Sequence, residues 1–165
     1  MEQKRDLIDT IVSDWENIGS TLNTDGTEVV GRIVRLSTLI SRRVEENLAK
    51  HELTAGEFDV LAALLRADNH SLAPFELQDL MLVSSGGLSN RMKRLEKYGW
   101  ISRAQAKEDG RGVAVKLTPK GKALIEEASI SHLALENELI ASMNKADAES
   151  LQHLLRGLLL VLDQK

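Results

Sequence analysis

The sequence predicts a mainly α-helical fold carrying one small β ribbon, and three observations lead there. Apolar residues recur at three- and four-residue spacing along most of the 165-residue chain, the spacing that puts them on one side of a helix. Only Ile101–Ala104 and Val113–Leu117 show the alternation and β-branched content of strands. Between them lies Lys107-Glu-Asp-Gly-Arg-Gly112, a glycine-punctuated reversal. A short polar helix precedes this ribbon, so the expected fold is a winged helix-turn-helix flanked by long helices.

The elements follow in order. Leu7, Ile8, Ile11, Val12, Trp15 and Ile18 give a first amphipathic helix over 4–18, and 19–27 is expected as a polar loop. A second helix is expected over 28–50, with Val30, Ile33, Ser37, Ile40 and Val44 as a seam suited to another helix. Thr54 and Glu57 form a capping box that opens a helix to about Arg66. Its apolar side is Phe58, Leu61, Leu64 and Leu65, and Asp59 and Arg66 share the other side. Ser71–Ala73 is a candidate short strand. Pro74 suits the first turn of a helix to about Met81, with Phe75, Leu77, Leu80 and Leu82 expected as its buried side. Ser84 or Ser85 caps the next helix. There Leu88, Met92 and Leu95 face inward, while Gly86, Asn90, Lys93 and Lys97 face out, flanked by Ser89 and Arg94. Thr118-Pro119 caps a helix to about Met143, and Asn144 caps the last, to about Leu162. That last helix carries more apolar surface than one stripe needs, which suits burial by a partner chain.

Charge separates along the chain. The total is −4, yet residues 84–122 carry ten basic and three acidic side chains, so that segment is +7 and the remainder −11. Phosphate attraction depends on the local field rather than the total. The helix suits a major groove and the arginine-tipped ribbon a minor groove. Ser85, Gly86, Ser89, Asn90, Lys93, Arg94 and Arg103 are the expected contacts to double-stranded DNA. Arg111 enters the minor groove, oriented by Asp109.

Other classes have little support. The chain lacks cysteine, which excludes a disulfide framework and a thiol sensor. No apolar run reaches the roughly 18 residues of a membrane span, and a cytoplasmic protein is expected, with no membrane partner. There is no G-x-S-x-G elbow, and the four histidines lie far apart. His132 and Glu136, one helical turn apart, are an incomplete metal pair. No catalytic residue, metal site or cofactor is expected, and the chain is not expected to be an enzyme.

Three stretches carry a family resemblance. They are Leu-Thr-Ala-Gly-Glu-Phe-Asp-Val-Leu-Ala-Ala-Leu at 53–64, Leu-Ser-Asn-Arg-Met-Lys-Arg-Leu-Glu at 88–96 and Asp-Gly-Arg-Gly-Val-Ala-Val-Lys-Leu-Thr-Pro-Lys-Gly at 109–121. With them the chain resembles the MarR family of winged-helix transcriptional regulators from about residue 4 to 162. The resemblance implies a homodimer on a palindromic operator. It divides the chain into N-terminal helices over 1–50 (an extra helix at 4–18 and a dimerisation helix at 28–50), a DNA-binding region over 51–118 and C-terminal dimerisation helices over 119–165. Trp15, Asp59, Arg66 and Arg91 match in type and context the ligand residues of the family's urate-responsive branch. That implies a repressor released by a small anionic effector, urate or a related purine, with phenolic or aromatic carboxylate ligands as the alternative. Arginine forks, a carboxylate acceptor and an aromatic wall suit a planar anion.

Overall fold

The computed structural model describes residues 4–19, 21–81, 85–105 and 113–164. Seven α-helices and three strands follow one another in these residues: α1 (Leu7–Ile18), α2 (Asp25–Ala49), α3 (Ala55–Arg66), β1 (Ser71–Leu72), α4 (Pro74–Met81), α5 (Ser85–Lys97), β2 (Ile101–Gln105), β3 (Val113–Leu117), α6 (Pro119–Ile140) and α7 (Lys145–Leu162). The chain divides into two compact units, Met1–Val44 and Glu45–Lys165.

In the first unit, α1 starts at Leu7 because Asp6 caps it. The Asp6 carboxylate accepts from the Ile8 and Asp9 amides, and Asp9 returns the bond to the Asp6 amide. Ile8 and Val12 are buried. Arg32 of α2 is held by Asp6 at 2.9 Å, by Asp9 at 2.6 Å and by Glu28 one turn earlier. The expected start of α2 at residue 28 is corrected to Asp25. Asn23 accepts from the Asp25 amide, and the Glu28 amide reaches the Thr24 carbonyl, so helical bonding begins a turn early.

The second unit is built around α3. Its capping box forms as expected: Thr54 Oγ1 accepts from the Glu57 amide, and Glu57 Oε2 accepts from the Thr54 amide. It buries Phe58, Val60, Leu61, Ala62, Ala63 and Leu64, and it packs against α4, α5, α6, β1 and β3. Leu48, Leu77, Leu88, Leu95, Val115 and Ile125 complete the core. Each fully buried aliphatic side chain stabilises the unit by about 1.5–3 kcal/mol, so leucine supplies what the scarce aromatics do not.

The strands form one antiparallel sheet in the order β1-β3-β2. Ser71 pairs with Lys116, and Arg103 pairs with Val115. A 3-10 turn over Asp68–His70, not expected from the sequence, leads into β1. Asn69 and His70 adopt positive φ there, and His70 Nδ1 lies 2.9 Å from the Leu65 carbonyl oxygen. The expected inner side of α4 is corrected as well. Leu77 is fully buried, but Phe75 and Leu80 are about two-thirds exposed at 67% and 65%, and Leu82 lies outside the described residues. An eight-residue helix turns one narrow stripe inward, and one leucine fills it.

Gly99 turns the chain from α5 into β2 at φ 70°, a left-handed conformation that glycine adopts without steric cost. The root of the ribbon is then clamped to α6. Thr118 Oγ1 donates to the Gly99 carbonyl at 2.7 Å and accepts from the Gly121 amide at 3.0 Å. Gly121 packs directly on the Trp100 carbonyl, leaving no room for a side chain. Helix α6 ends at Ile140 rather than near Met143. As expected, Asn144 caps α7, accepting from the Asp147 amide at 2.9 Å. Helix α7 buries none of its residues.

Candidate functional site

The expected two-faced character of α5 is present. Leu88, Met92 and Leu95 are buried against the unit, and Gly86, Asn90, Lys93 and Lys97 are exposed. Ser89 is half-buried at the edge. Ser85 begins the helix. The outer surface therefore offers an amide and two ammonium groups on a rigid support. Asp109 and Arg111, expected at the ribbon tip, lie outside the described residues, as does Ser84.

Two expected DNA contacts have carboxylate partners inside the chain. Arg103 Nε meets Glu96 Oε1 at 3.0 Å. Arg94 Nη1 meets Glu57 Oε2 at 2.6 Å, and its Nη2 donates to the Glu52 carbonyl at 3.2 Å. Glu57 is only 2% exposed, so this ion pair ties α5 to α3 from within their contact, with the Arg94 side chain left 40% exposed. No wheel of α5 alone could find it, because the acid lies 37 residues away in sequence.

Arg91, one turn before Arg94, also turns inward. Its guanidinium lies over Gly56, where a Cβ would collide with it. Arg91 thus points back toward the body of the unit. Asp59, on the next turn of α3, lies within the electrostatic reach of Arg91, His132 and Arg66. Loss of hydration against the packed surface raises its carboxyl above the ordinary value of 3.8, and Arg91, then His132, then Arg66 draw it back down. Asp59 and Arg66 both remain solvent-accessible. The cluster holds two guanidinium groups against one carboxylate, an excess of positive charge suited to an anion. Trp15 stands on α1 in the first unit and is about half exposed.

From the sequence, His132 stands out only as half of an incomplete metal pair with Glu136. It faces Glu136 at 3.2 Å and tilts over the Phe58 ring, with centroids 4.5 Å apart. Its Nδ1 is buried without a hydrogen-bond partner. A histidine carries no spacing signal toward Asp59, which sits on a different helix, so the sequence could not place it in the cluster. Among the described residues no group of three metal-ligating side chains comes together. Among them, too, no helix is long and apolar enough to cross a membrane.

The MarR family model matches residues 53–113, the stretch from just before α3 to the first residue of β3. The transcriptional regulator PecS of Dickeya dadantii is 30% identical over 149 residues, spanning 90% of each chain. The chain belongs to the MarR family. The multiple antibiotic resistance protein MarR of Salmonella typhimurium is 32% identical over 132 residues, covering 79% of this chain and 90% of its own. A solved structure of an Escherichia coli MarR mutant complexed with operator DNA superposes with a TM-score of 0.69 at 27% identity, covering 94% of this chain and 99% of that one. This MarR-family chain has transcriptional regulators, not enzymes, as its relatives.

Proposed function

We propose that this MarR-family chain is a homodimeric repressor that reads a palindromic operator through α5 and the ribbon and is released by a small planar anion. The observation that carries the DNA-binding reading is the exposed row of Gly86, Asn90, Lys93 and Lys97 opposite the buried Leu88, Met92 and Leu95. Two such helices, related by a two-fold axis, would enter major grooves about 10 bp apart. Arg111 reaches the adjacent minor groove, with Asp109 orienting it. The complex of the related Escherichia coli MarR with operator DNA supports this reading.

The effector reading rests on the Asp59, Arg66 and Arg91 cluster. Arg91 belongs to α5 and electrostatically senses Asp59 on α3. A ligand that binds the two guanidinium groups changes the position of Arg91 and with it the helix that meets DNA. Such a ligand lowers DNA affinity only through its preference for the non-binding state, typically about 1–3 kcal/mol. The two-to-one charge ratio suits a small anion of either class, and the resemblance at Asp59, Arg66 and Arg91, and at Trp15 on α1, is what favours urate or a related purine.

A duplex selected by the wild-type protein from a random-sequence pool tests both readings. Lys93→Ala should reduce the slope of log affinity against log salt by about one, and Arg111→Ala should weaken binding by roughly 1–3 kcal/mol. Arg111→Ala binding as well as wild type rejects the ribbon assignment. Saturating urate should dissociate the complex. Release by salicylate but not by urate favours the phenolic alternative.

A further inference from the structure

We infer that Arg94 is a positioning residue that latches the recognition helix to the first turn of α3, rather than a contact to DNA. The inference rests on the reading that α5 meets DNA. Its ground is the set of partners around one guanidinium. Arg94 Nη1 meets the buried Glu57 carboxylate at 2.6 Å, and the same carboxylate oxygen accepts from the Thr54 amide at 2.9 Å and the Thr54 hydroxyl at 2.8 Å. Arg94 Nη2 takes the carbonyl of Glu52 at 3.2 Å, and Glu52 itself holds a positive φ of 59° in the turn between α2 and α3. The guanidinium carbon lies 5.3 Å from the centroid of the Tyr98 ring, and that ring stacks on Trp100 at 4.7 Å. One side chain of α5 thus joins the 49–54 turn, the start of α3 and the chain entering β2.

A carboxylate buried this deeply is costly without a cation and hydrogen bonds. Glu57 has both, and Arg94 supplies the cation. The pairing also neutralises Arg94, so the latch contributes little to the field that phosphate senses. Neighbouring Lys93 stands on the exposed face.

The two arginines divide the work. Arg91 and Arg94 lie one turn apart on the same side of α5, one over Gly56 and the other on Glu57. Arg94 has a buried counter-ion that fixes it. Arg91 is instead coupled electrostatically to Asp59, a solvent-accessible residue that Arg66 and His132 also influence. A ligand can therefore draw on Arg91 while the Arg94 end stays put, so that α5 pivots rather than slides.

Salt dependence separates a latch from a phosphate contact. The selected duplex is titrated with wild type, Arg94→Ala, Glu57→Gln, the double variant and Lys93→Ala, with folding of each followed by circular dichroism. Arg94→Ala and Glu57→Gln should each bind roughly tenfold more weakly, and the double variant no worse than either, as coupled partners behave. Their salt slopes should match wild type, while that of Lys93→Ala should fall by about one. A slope lowered by about one in Arg94→Ala, or wild-type affinity in Glu57→Gln, overturns the latch. If Arg94→Ala does not fold, Arg94→Lys replaces it. Lysine keeps a charge for phosphate but not the fork that spans Glu57 and Glu52, so wild-type affinity in that variant overturns the latch equally. Failure of the wild-type protein to select any duplex strikes instead at the reading of α5 as a DNA-binding helix.

Discussion

The Arg91 guanidinium occupies the space that a side chain on Gly56 would need. The obstacle is the far end of a flexible side chain, so an added methyl would displace Arg91 rather than strain the backbone. Alanine is also the better helix former by up to about 1 kcal/mol. Gly56→Ala should therefore leave the melting temperature unchanged or slightly raised, while blunting urate-induced release of DNA. A loss of more than about 2 kcal/mol, of the order expected from overpacking, would show that Arg91 is wedged and not movable.

Asp59 gives a pH signature of known sign. Folding raises its carboxyl above 3.8, first through lost hydration, against the pull of Arg91, His132 and Arg66. The folded chain then binds this proton more tightly than the unfolded chain does. The group's contribution to stability is full below pH 3.8 and is lost as pH rises through the folded value. Asp59→Asn should accordingly be slightly more stable than wild type at pH 7. The gap should close on acidification and vanish below 3.8 in urea titrations. The same variant should respond poorly to urate, a trade of stability for function expected at a ligand site.

The ribbon root is the most sterically exacting place in the second unit. A Cβ at residue 121 would collide with the Trp100 carbonyl, which is backbone and also accepts from the Thr118 amide at 3.1 Å. Gly121→Ala should cost roughly 2–3 kcal/mol or more. Thr118→Ala, which removes a helix cap and the bond to Gly99, should cost about 1 kcal/mol. Thermal melts of the two variants, compared in that order, check the ranking.

Periodicity made the inner and outer faces of α5 legible, because Leu88, Met92 and Leu95 owe their burial to helical spacing alone. The capping box of Thr54 and Glu57 was equally plain, being local in sequence. What stayed hidden were partnerships across elements. Glu57 looked like a cap and nothing more, and Arg94 like a cation facing outward, until α3 and α5 were seen packed together. His132 entered the Asp59 cluster for the same reason. Phe75 and Leu80 misled because hydrophobic character does not say which apolar residues a short helix leaves exposed. The resemblance supplied the Thr-Pro-Lys-Gly motif, and the structure supplied its cause: a glycine pressed against a carbonyl.

The last helix gives the strongest test of assembly. Leu154, Leu155, Leu158 and Leu159 of α7 are 68%, 43%, 39% and 59% exposed, and none of the helix is buried within its own chain. Val30, Val34 and Ile40 of α2 are likewise exposed. A folded chain rarely leaves so much aliphatic surface in water, and a two-fold partner covers equivalent surfaces on both copies at once. Leu155→Glu with Leu158→Glu should therefore convert the protein to a monomer in sedimentation experiments without unfolding α3–α6, whose core these residues do not enter. Affinity for the selected duplex should collapse with the dimer, since one half-site then holds one α5. A double variant that still sediments as a dimer would place the contact on another face of the chain.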